Sequence, residues 1–241
     1  MSIHLVGGGW SSTLFRSFVL EAGARAAGAA RLVPRIGVLL VAEDEAEGVE
    51  MRAKYTAILT DVASCEPVVT VLADGSEAAS DLLTNIDGLV IGGGMTPAYL
   101  EAVTPLIDEI RLLVADGLPY LGFSAGAAIA ADHAIIGGWK IDGVPVCAED
   151  TGEELDDVTV AEGLGLVDLA IDAHAAQWGT LARLIAATEA GLVNGGVAID
   201  EDTVLVVGDG TLRVEGIGSV WRVSPGDDTV HVTTLGAADP V

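Results

Sequence analysis

Short apolar runs bounded by glycine alternate along the chain with longer amphipathic stretches. Runs that are apolar throughout are typical of strands buried on both faces of a parallel sheet, and the amphipathic stretches between them are typical of covering helices. The pattern therefore predicts an α/β fold, a mostly parallel sheet with helices on both faces. The predicted strands are Ile3-Val6, Arg35-Val41, Pro67-Leu72, Gly88-Ile91 and Pro119-Phe123, and the predicted helices are Leu14 to Ala30, Glu50 to Ser64, Glu77-Asn85, Pro97 to Ala115 and Ala125-Ala131.

The pattern changes beyond residue 135, where shorter strands and acidic loops replace the regular alternation. The acidic stretch Glu149 to Asp157 is predicted to be an exposed, mobile segment. Turn residues between apolar runs predict a hairpin and an antiparallel C-terminal margin, made of Val204-Val207, the turn Asp209-Gly210, Leu212-Val214, Trp221-Val223 and Thr229-Thr233. Because no linker or repeat interrupts the 241 residues, a single domain over residues 1–241 is predicted.

The charge balance makes some classes of binding partner unfavourable. The chain has 36 acidic and 11 basic residues, so its formal net charge is −25, which repels phosphate backbones and anionic membranes. We expect no nucleic-acid and no membrane partner. Many carboxylates beside only two lysines, Lys54 and Lys140, are typical of proteins adapted to high salt, and a halophilic source is our hypothesis. Without a basic N-terminal region or an uncharged apolar run of about 18 residues, the protein is expected to be soluble and cytoplasmic.

The pentapeptide Gly122-Phe123-Ser124-Ala125-Gly126 is the strongest candidate for chemistry. An apolar strand precedes Ser124 and an alanine-rich helix follows it, the arrangement that exposes a nucleophilic hydroxyl on a tight strand-to-helix turn. Gly122 and Gly126 are expected because a Cβ at either position would collide with neighbouring backbone. The alternative is a glycine-rich turn that only packs a helix on the sheet.

Four histidines are candidates for a general base. His133 lies nine residues after Ser124, which on a continuous helix is roughly 13 Å away, and His4 and His231 fall within predicted strands. His174 follows the apolar segment Leu164-Ala170, where a strand ends and a helix from about Gln177 to Ala187 begins, and α/β active sites assemble at such strand ends. His174 is therefore the predicted base.

A carboxylate must orient that imidazole, and amide donors must face the oxyanion. Glu201, after the strand-like Val197 to Asp200, is the predicted acid, with Asp200, Asp202 and Asp172 as competitors. The amide of Ala125 and an amide of Gly93 or Gly94 are the predicted oxyanion donors. Neither Gly7-Gly9 nor Gly92-Gly94 continues as a nucleotide-binding motif, so nucleotide binding is not expected. Acyl transfer by these residues requires no metal and no organic cofactor, and none is expected.

Several motifs together resemble peptidase family S51, the serine peptidases that include dipeptidase E and cyanophycinase. The resemblance runs from about residue 3 to 207 and rests on Gly7-Gly9, Ile91-Gly94 before Thr96, Gly122-Ala127, Asp172-His174 and Gly196-Glu201. It implies a class I glutamine amidotransferase-like, flavodoxin-like fold. It also implies Ser124 as nucleophile, His174 as base and Glu201 as orienting acid.

The chain departs from the family pattern at positions that are expected to contact the substrate. The resemblance implies D-Q-H-F-x-x-R-x-R-x-x-R-L around the histidine, but Ala173, Trp178 and Thr180 replace the glutamine and two arginines, and Met95 replaces a polar residue. Loss of the two arginines removes bidentate recognition of an anion and predicts a more apolar pocket. Met95, Asp172, Trp178 and Arg183 are the candidate substrate-binding residues, although Arg183 is equally compatible with a surface ion pair.

The function expected from these residues is hydrolysis of a small peptide or β-aspartyl amide through an acyl-enzyme. Two rivals stay open: an inactive family member that binds a peptide or metabolite, and a hydrolase of another amide or ester. Assembly as a homodimer is also left open.

Overall fold

A computed structural model describes residues 2–208, 210 and 212–237. Its strands are β1 (Ser2–Val6), β2 (Arg35–Ala42), β3 (Glu66–Ala73), β4 (Gly88–Ile91), β5 (Tyr120–Phe123), β6 (His133–Gly137), β7 (Lys140–Ile141), β8 (Val144–Pro145), β9 (Thr159–Glu162), β10 (Ala170–Ala173), β11 (Gly196–Ile199), β12 (Thr203–Gly208), β13 (Arg213–Gly216), β14 (Ser219–Pro225) and β15 (Val230–Gly236). The α-helices are α1 (Arg16–Gly28), α2 (Glu45–Val62), α3 (Thr96–Val103), α4 (Ile107–Ala115), α5 (Ala125–Ala128), α6 (Ala175–Trp178) and α7 (Leu181–Glu189). Short 3-10 turns cover Ser12–Phe15, Ser80–Leu83, Thr104–Leu106 and Glu149–Thr151.

A seven-stranded sheet in the order β13-β12-β1-β5-β4-β2-β3 forms the centre of the molecule. The five strands from β1 to β3 in that order are parallel to their neighbours, whereas β12 and β13 add antiparallel partners beside β1. The predicted α/β class, with a mostly parallel sheet, is confirmed. Of the predicted Asp209-Gly210 turn, Asp209 lies outside the described residues.

Side chains alternate between the two faces of this sheet, as the period of two in a strand requires. In β2, Val38 and Leu40 pack in one apolar cluster with Phe18 of α1, whereas Leu39 packs in the other with Tyr99 of α3. Helices therefore cover both faces, and this explains why the predicted strands are apolar throughout.

The predicted antiparallel C-terminal margin is present as β12 and β13, whereas β14 and β15 join a second sheet. This sheet has the order β10-β11-β14-β15, with β10 and β11 parallel and the other pairs antiparallel. Only β12 and β13 extend the large sheet. The pattern alone predicts antiparallel strands here but does not show which sheet each strand joins, because that depends on long-range pairing.

Several predicted helices are shorter or divided. The predicted helix Pro97 to Ala115 is broken by the turn Thr104–Leu106, where Pro105 has no amide hydrogen to continue it. The helix after Ser124 ends at Ala128, and His133 begins β6 instead of continuing that helix. The prediction that His133 lies on a helix with Ser124 was wrong, since a run of small residues fits a short turn as well as a helix.

Other helices begin or end at residues that differ from the predicted ones. α2 begins at Glu45, five residues before the predicted start, because the Asp44 side chain caps it by accepting from the Glu47 amide. The predicted helix Leu14 to Ala30 divides into the turn Ser12–Phe15 and α1, and Glu77-Asn85 keeps only one 3-10 turn. The predicted helix from Gln177 divides at Gly179 into α6 and α7.

Among the described residues, every helix is too short or too polar to cross a lipid bilayer.

Candidate active site

Ser124 occupies a sharp turn between β5 and α5. Its backbone dihedral angles, φ 52° and ψ −105°, are unusual for a residue with a side chain. A Cβ on Gly122 would overlap the Gly126 carbonyl, and a Cβ on Gly126 would overlap the Ile91 carbonyl. These two glycines let the turn pack against the sheet, as predicted.

The Ser124 hydroxyl is hydrogen-bonded to His174. Its Oγ lies 2.7 Å from Nε2 of His174, which follows β10 and itself adopts a left-handed conformation with φ 56°. His174 is 8% exposed. Burial lowers the pKa of His174 below its ordinary value, against the opposing effect of Glu201. Burial thus favours the neutral imidazole, the state that accepts a proton.

Glu201 contacts the other nitrogen of this imidazole. Its Oε1 lies 2.7 Å from Nδ1 of His174, so Ser124, His174 and Glu201 form one hydrogen-bonded line. The competing aspartates have other partners. Asp200 accepts from Ala176, Ser219 and Trp221, Asp172 accepts from Arg183, and Asp202 lies beside Gly9.

The remaining histidines lie in strands. His4 is fully buried in β1 beside Ser17, and His133 and His231 are exposed. Within the described parts of the chain, no group of three or more His, Cys, Asp or Glu side chains is arranged to hold a metal ion.

The glycine turn after β1 joins the three parts of this site, a role that the sequence did not indicate. Val6 O accepts from the Ser124 amide at 2.9 Å, Gly7 O accepts from the His174 amide at 2.9 Å, and Gly8 O accepts from the Asp202 amide at 2.9 Å. Three consecutive carbonyls thus fix the backbone at or next to each residue of the hydrogen-bonded line.

The predicted oxyanion donors are not equivalent. The Gly93 amide donates to the Tyr55 hydroxyl at 3.2 Å, and a Cβ on Gly93 would lie 2.9 Å from Cβ of Ser124. Among the described residues, the amides of Gly94 and Ala125 have no protein acceptor. The backbone amides of Gly94 and Ala125 are therefore available to donate a hydrogen bond to a ligand.

Arg183 and Asp172 form a buried ion pair next to the site. They are 4% and 3% exposed, and Nε and Nη2 of Arg183 donate to the two Asp172 oxygens at 2.8 and 2.7 Å. Nη1 of Arg183 donates to the carbonyls of Gly138 and Thr151. This network ties α7 to β10, to the turn between β6 and β7 and to the 3-10 turn Glu149–Thr151, so the surface ion pair considered for Arg183 is not found.

A cleft of about 720 Å³ opens beside Ser124. Its wall includes Met95 and Trp178, which stand at two positions where the sequence differs from the pattern of the family that it resembles. The wall is acidic as well as apolar, which the sequence did not predict. It contains seven carboxylates and no basic side chain; the acids are Glu43, Glu47, Asp74, Glu101, Asp150, Glu153 and Glu154.

The stretch Glu149 to Asp157, predicted to be exposed and mobile, is exposed at its five other acidic residues but turns Glu153 inward and forms part of this wall. Glu153 accepts from both the amide and the hydroxyl of Thr96, the latter at 2.9 Å, and so caps α3, whose N-cap residue Met95 has no side-chain acceptor. Burial raises the pKa of Glu153, against the hydrogen bonds from Thr96. Acidic composition alone did not reveal this contact.

The one-turn helix α6 supplies two further contacts. The Gln177 side chain accepts from the Glu201 amide at 2.9 Å, and the Trp178 indole stacks on the His174 ring. Gln177 was not among the predicted residues. Its spacing of three from His174 on a helical turn is the signal that indicates a place near the site.

Fold and site together define an α/β protein with a serine, a histidine and a glutamate in one hydrogen-bonded line at a sheet edge. The sequence profile of peptidase family S51 matches residues 48–215, and the chain belongs to this family. It is similar to the cyanophycinase of Synechococcus elongatus, with 34% identity over 201 residues that cover 80% of this chain and 59% of that protein. It is also similar to peptidase E of Nostoc sp., with 39% identity over 56 residues, 22% of this chain and 23% of that protein.

The chain spans about three fifths of the length of the Synechococcus cyanophycinase. Among solved structures, a peptidase from an acI-B1 actinobacterium has the same fold, with a TM-score of 0.70 and 18% identity, over 99% of this chain and 95% of that one. The fold predicted from the resemblance is thus found in a solved peptidase.

Proposed function

We propose that this protein is a serine peptidase that hydrolyses a small peptide or β-aspartyl amide through an acyl-enzyme. The observation that carries the proposal is the 2.7 Å contact between Ser124 Oγ and His174 Nε2, continued by the 2.7 Å contact between His174 Nδ1 and Glu201. A nucleophile, a base and an orienting acid in this geometry are what acyl transfer requires. Ser124 follows a strand of the large sheet and His174 follows a strand of the small one, so both sheets belong to one proposed hydrolytic domain.

The reaction starts with transfer of the Ser124 hydroxyl proton to Nε2 of His174 while Oγ attacks the substrate carbonyl. Nδ1–H of His174 donates to Glu201, which keeps Nε2 free to accept and stabilises the imidazolium. The amides of Ala125 and Gly94 stabilise the oxyanion, and each such donor typically contributes about 10² to 10³ in turnover.

Collapse of the tetrahedral intermediate breaks the amide bond, and His174 returns its proton to the leaving amine. Water then attacks the ester on Ser124 while His174 accepts its proton, and His174 returns that proton to Oγ of Ser124 as the ester bond breaks and the acid product leaves. Asp172 and Arg183 are assigned a positioning role, because both are buried and the two carboxylate oxygens of Asp172 are already paired with Arg183.

The acidic wall of the cleft supports a substrate that is basic or neutral beside the scissile bond. Seven carboxylates without a basic partner in the wall favour a cation and repel an anion. The cyanophycinase relatives take their name from cyanophycin, but Trp178 and Thr180 stand where the family pattern has arginine. The substrate proposed here is therefore a short peptide with a basic group, and not cyanophycin itself.

A fluorophosphonate probe tests the mechanism independently of substrate. We expect labelling of the parent protein and loss of labelling in Ser124→Ala and His174→Gln, whereas Ser64→Ala, an exposed serine between α2 and β3, labels as the parent does. Equal labelling of Ser124→Ala would contradict the mechanism. Hydrolysis of Asp-X and β-Asp-X dipeptides at low and high salt then defines the substrate.

A further inference from the structure

The indole of Trp178 covers one face of the His174 imidazole. The two ring centroids are 3.8 Å apart and the ring planes differ by 8°. Trp178 is 51% exposed, so its other surface lies open to the cleft. The imidazole is thus held by hydrogen bonds at its two nitrogens and by an aromatic surface on one face.

The local backbone produces this contact. His174 precedes the single turn α6, and the Trp178 amide donates to the His174 carbonyl at 2.9 Å, which puts side chains four residues apart on the same side of the turn. Gly179, with φ 76°, ends the turn in a left-handed conformation. The Thr180 hydroxyl then binds the Ala173 carbonyl and closes the segment onto β10.

The stacking geometry favours a charged imidazole. Two neutral aromatic rings avoid a face-to-face arrangement because the negative faces of their π-systems repel each other. A cation over the face of an indole is attracted instead, and tryptophan is the best partner for this interaction. Nearly parallel rings at 3.8 Å therefore suit His174 when it carries a proton.

We propose that Trp178 is a positioning residue, whose indole holds the His174 ring in line between Ser124 and Glu201 and stabilises the imidazolium that forms when Ser124 attacks. This inference rests on the proposed serine peptidase function. It assigns to this position a role other than substrate contact, and it explains how the chain uses a tryptophan where the family pattern has arginine.

Other charges also act on His174 and must be separated from this effect. The Glu201 carboxylate contacts Nδ1, and Asp172 adds a weaker attraction for the imidazolium from β10. Arg183 of α7 is paired with Asp172, and Glu153 lies on the wall of the same small cavity. Substitution of Trp178 by an uncharged side chain leaves all four of these groups in place.

The first test measures the protonation of His174 directly by NMR titration of the histidine Hε1 resonances, with His174→Gln to assign the signal. In Trp178→Leu, which keeps an apolar cover but removes the π-system, the pKa of His174 is expected to fall by about half a unit to one unit. The upfield ring-current shift of the His174 signal is expected to disappear. Trp178→Phe is the matched control and should retain at least about half of both effects.

The second test measures kcat and KM of the same variants on one dipeptide. A positioning role predicts a kcat about tenfold lower in Trp178→Leu, largely restored in Trp178→Phe. A higher KM with unchanged kcat in Trp178→Leu would show a substrate contact only and would overturn the proposal. So would an unchanged or higher His174 pKa in that variant. The NMR result does not depend on turnover, so failure of the peptidase proposal is recognised separately by the absence of Ser124-dependent labelling.

Discussion

Gly8 lies directly against the imidazole of His174, because a Cβ on Gly8 would stand 2.6 Å from Nδ1. Gly8 also has φ 121°, a conformation that other residues rarely adopt. Gly8 is thus the surface against which the His174 imidazole packs, in addition to the hydrogen bonds that the Gly7 and Gly8 carbonyls accept.

Replacement of Gly8 by alanine is expected to displace His174 and lower kcat/KM by about 10²-fold or more, since a shift of about 1 Å at a reacting group has this effect. Gly23→Ala is the matched control, because Gly23 lies within α1 and has open space around its Cβ position. Steady-state kinetics of both variants, with thermal unfolding to confirm folding, make the comparison. A fully active Gly8→Ala variant would contradict the close contact.

The pH dependence of kcat/KM should reflect His174. Because burial lowers the pKa of His174, activity is expected to be constant above the ordinary imidazole value of about 6.5 and to fall only at lower pH. Glu201→Gln removes a carboxylate that raises this pKa, so the acid limb should move to still lower pH. The same change should reduce kcat on the order of 10³ to 10⁴-fold.

Asp202→Asn is the matched control for the Glu201 variant. It changes a neighbouring acid that does not contact the imidazole, and its pH profile should match that of the parent. An acid limb that stays in place in Glu201→Gln would argue against Glu201 as the partner of His174.

Glu153 should affect stability in opposite directions in two variants. Burial raises the pKa of Glu153 in the folded protein, so its ionised form destabilises the fold, and this effect vanishes as the pH falls through the folded pKa towards about 4.3. Glu153→Gln keeps an acceptor for the Thr96 amide and is expected to unfold at a higher temperature than the parent at pH 8, with no difference at pH 4.

Glu153→Ala removes both hydrogen bonds to Thr96 and should cost about 1 kcal/mol of unfolding free energy, as loss of a helix cap does. Differential scanning calorimetry at the two pH values measures both variants. If Glu153→Gln and Glu153→Ala destabilise equally at pH 8, the ionised carboxylate is a net stabilising group and the argument is wrong.

The prediction for the cleft is a preference for basic peptides. Asp-Lys should have a higher kcat/KM than Asp-Glu, and the ratio should fall as added salt screens the carboxylates. Glu101→Gln and Asp150→Asn, both on the cleft wall, should reduce the ratio, whereas Glu189→Gln on the exposed end of α7 should not. Equal rates for the two peptides at low salt would exclude charge selection.

The net charge of −25 leads to a separate prediction about salt. Self-repulsion among the carboxylates weakens the compact state and is screened by added ions. The midpoint of thermal unfolding is therefore expected to rise between dilute buffer and molar KCl. A midpoint that does not change would end the halophilic hypothesis.

The sequence identifies Ser124, His174 and Glu201 as candidate site residues because each follows a short apolar strand. Carboxyl ends of parallel strands lie along one edge of a sheet, which explains why His174 and Glu201 lie together after β10 and β11. That β5 of the other sheet ends beside them depends on how the two sheets pack, which the sequence pattern does not show. Contacts made by Glu153, Gln177 and Trp178 were not accessible in this way. They depend on how loops fold back onto the sheet, which no local period of apolar residues encodes.

The roles of the backbone glycines could not be predicted from the sequence for the same reason. A triple glycine such as Gly7-Gly9 fits a phosphate loop, a turn or a site for close packing, and only the neighbouring chain distinguishes these. The Gly93 and Gly94 amides differ because the Gly93 amide donates to the Tyr55 hydroxyl of α2, a residue far away in the sequence.

The division of the hydrogen-bonded line between two sheets has a consequence for loss of activity. Ser124 follows β5 of the large sheet, whereas His174 and Glu201 follow β10 and β11 of the small one. A slip of about one ångström between the sheets would separate Ser124 from His174 without breaking a strand pairing in either sheet. The proposed activity therefore depends on how the two sheets fit together, and on heating it is expected to be lost before circular dichroism detects unfolding.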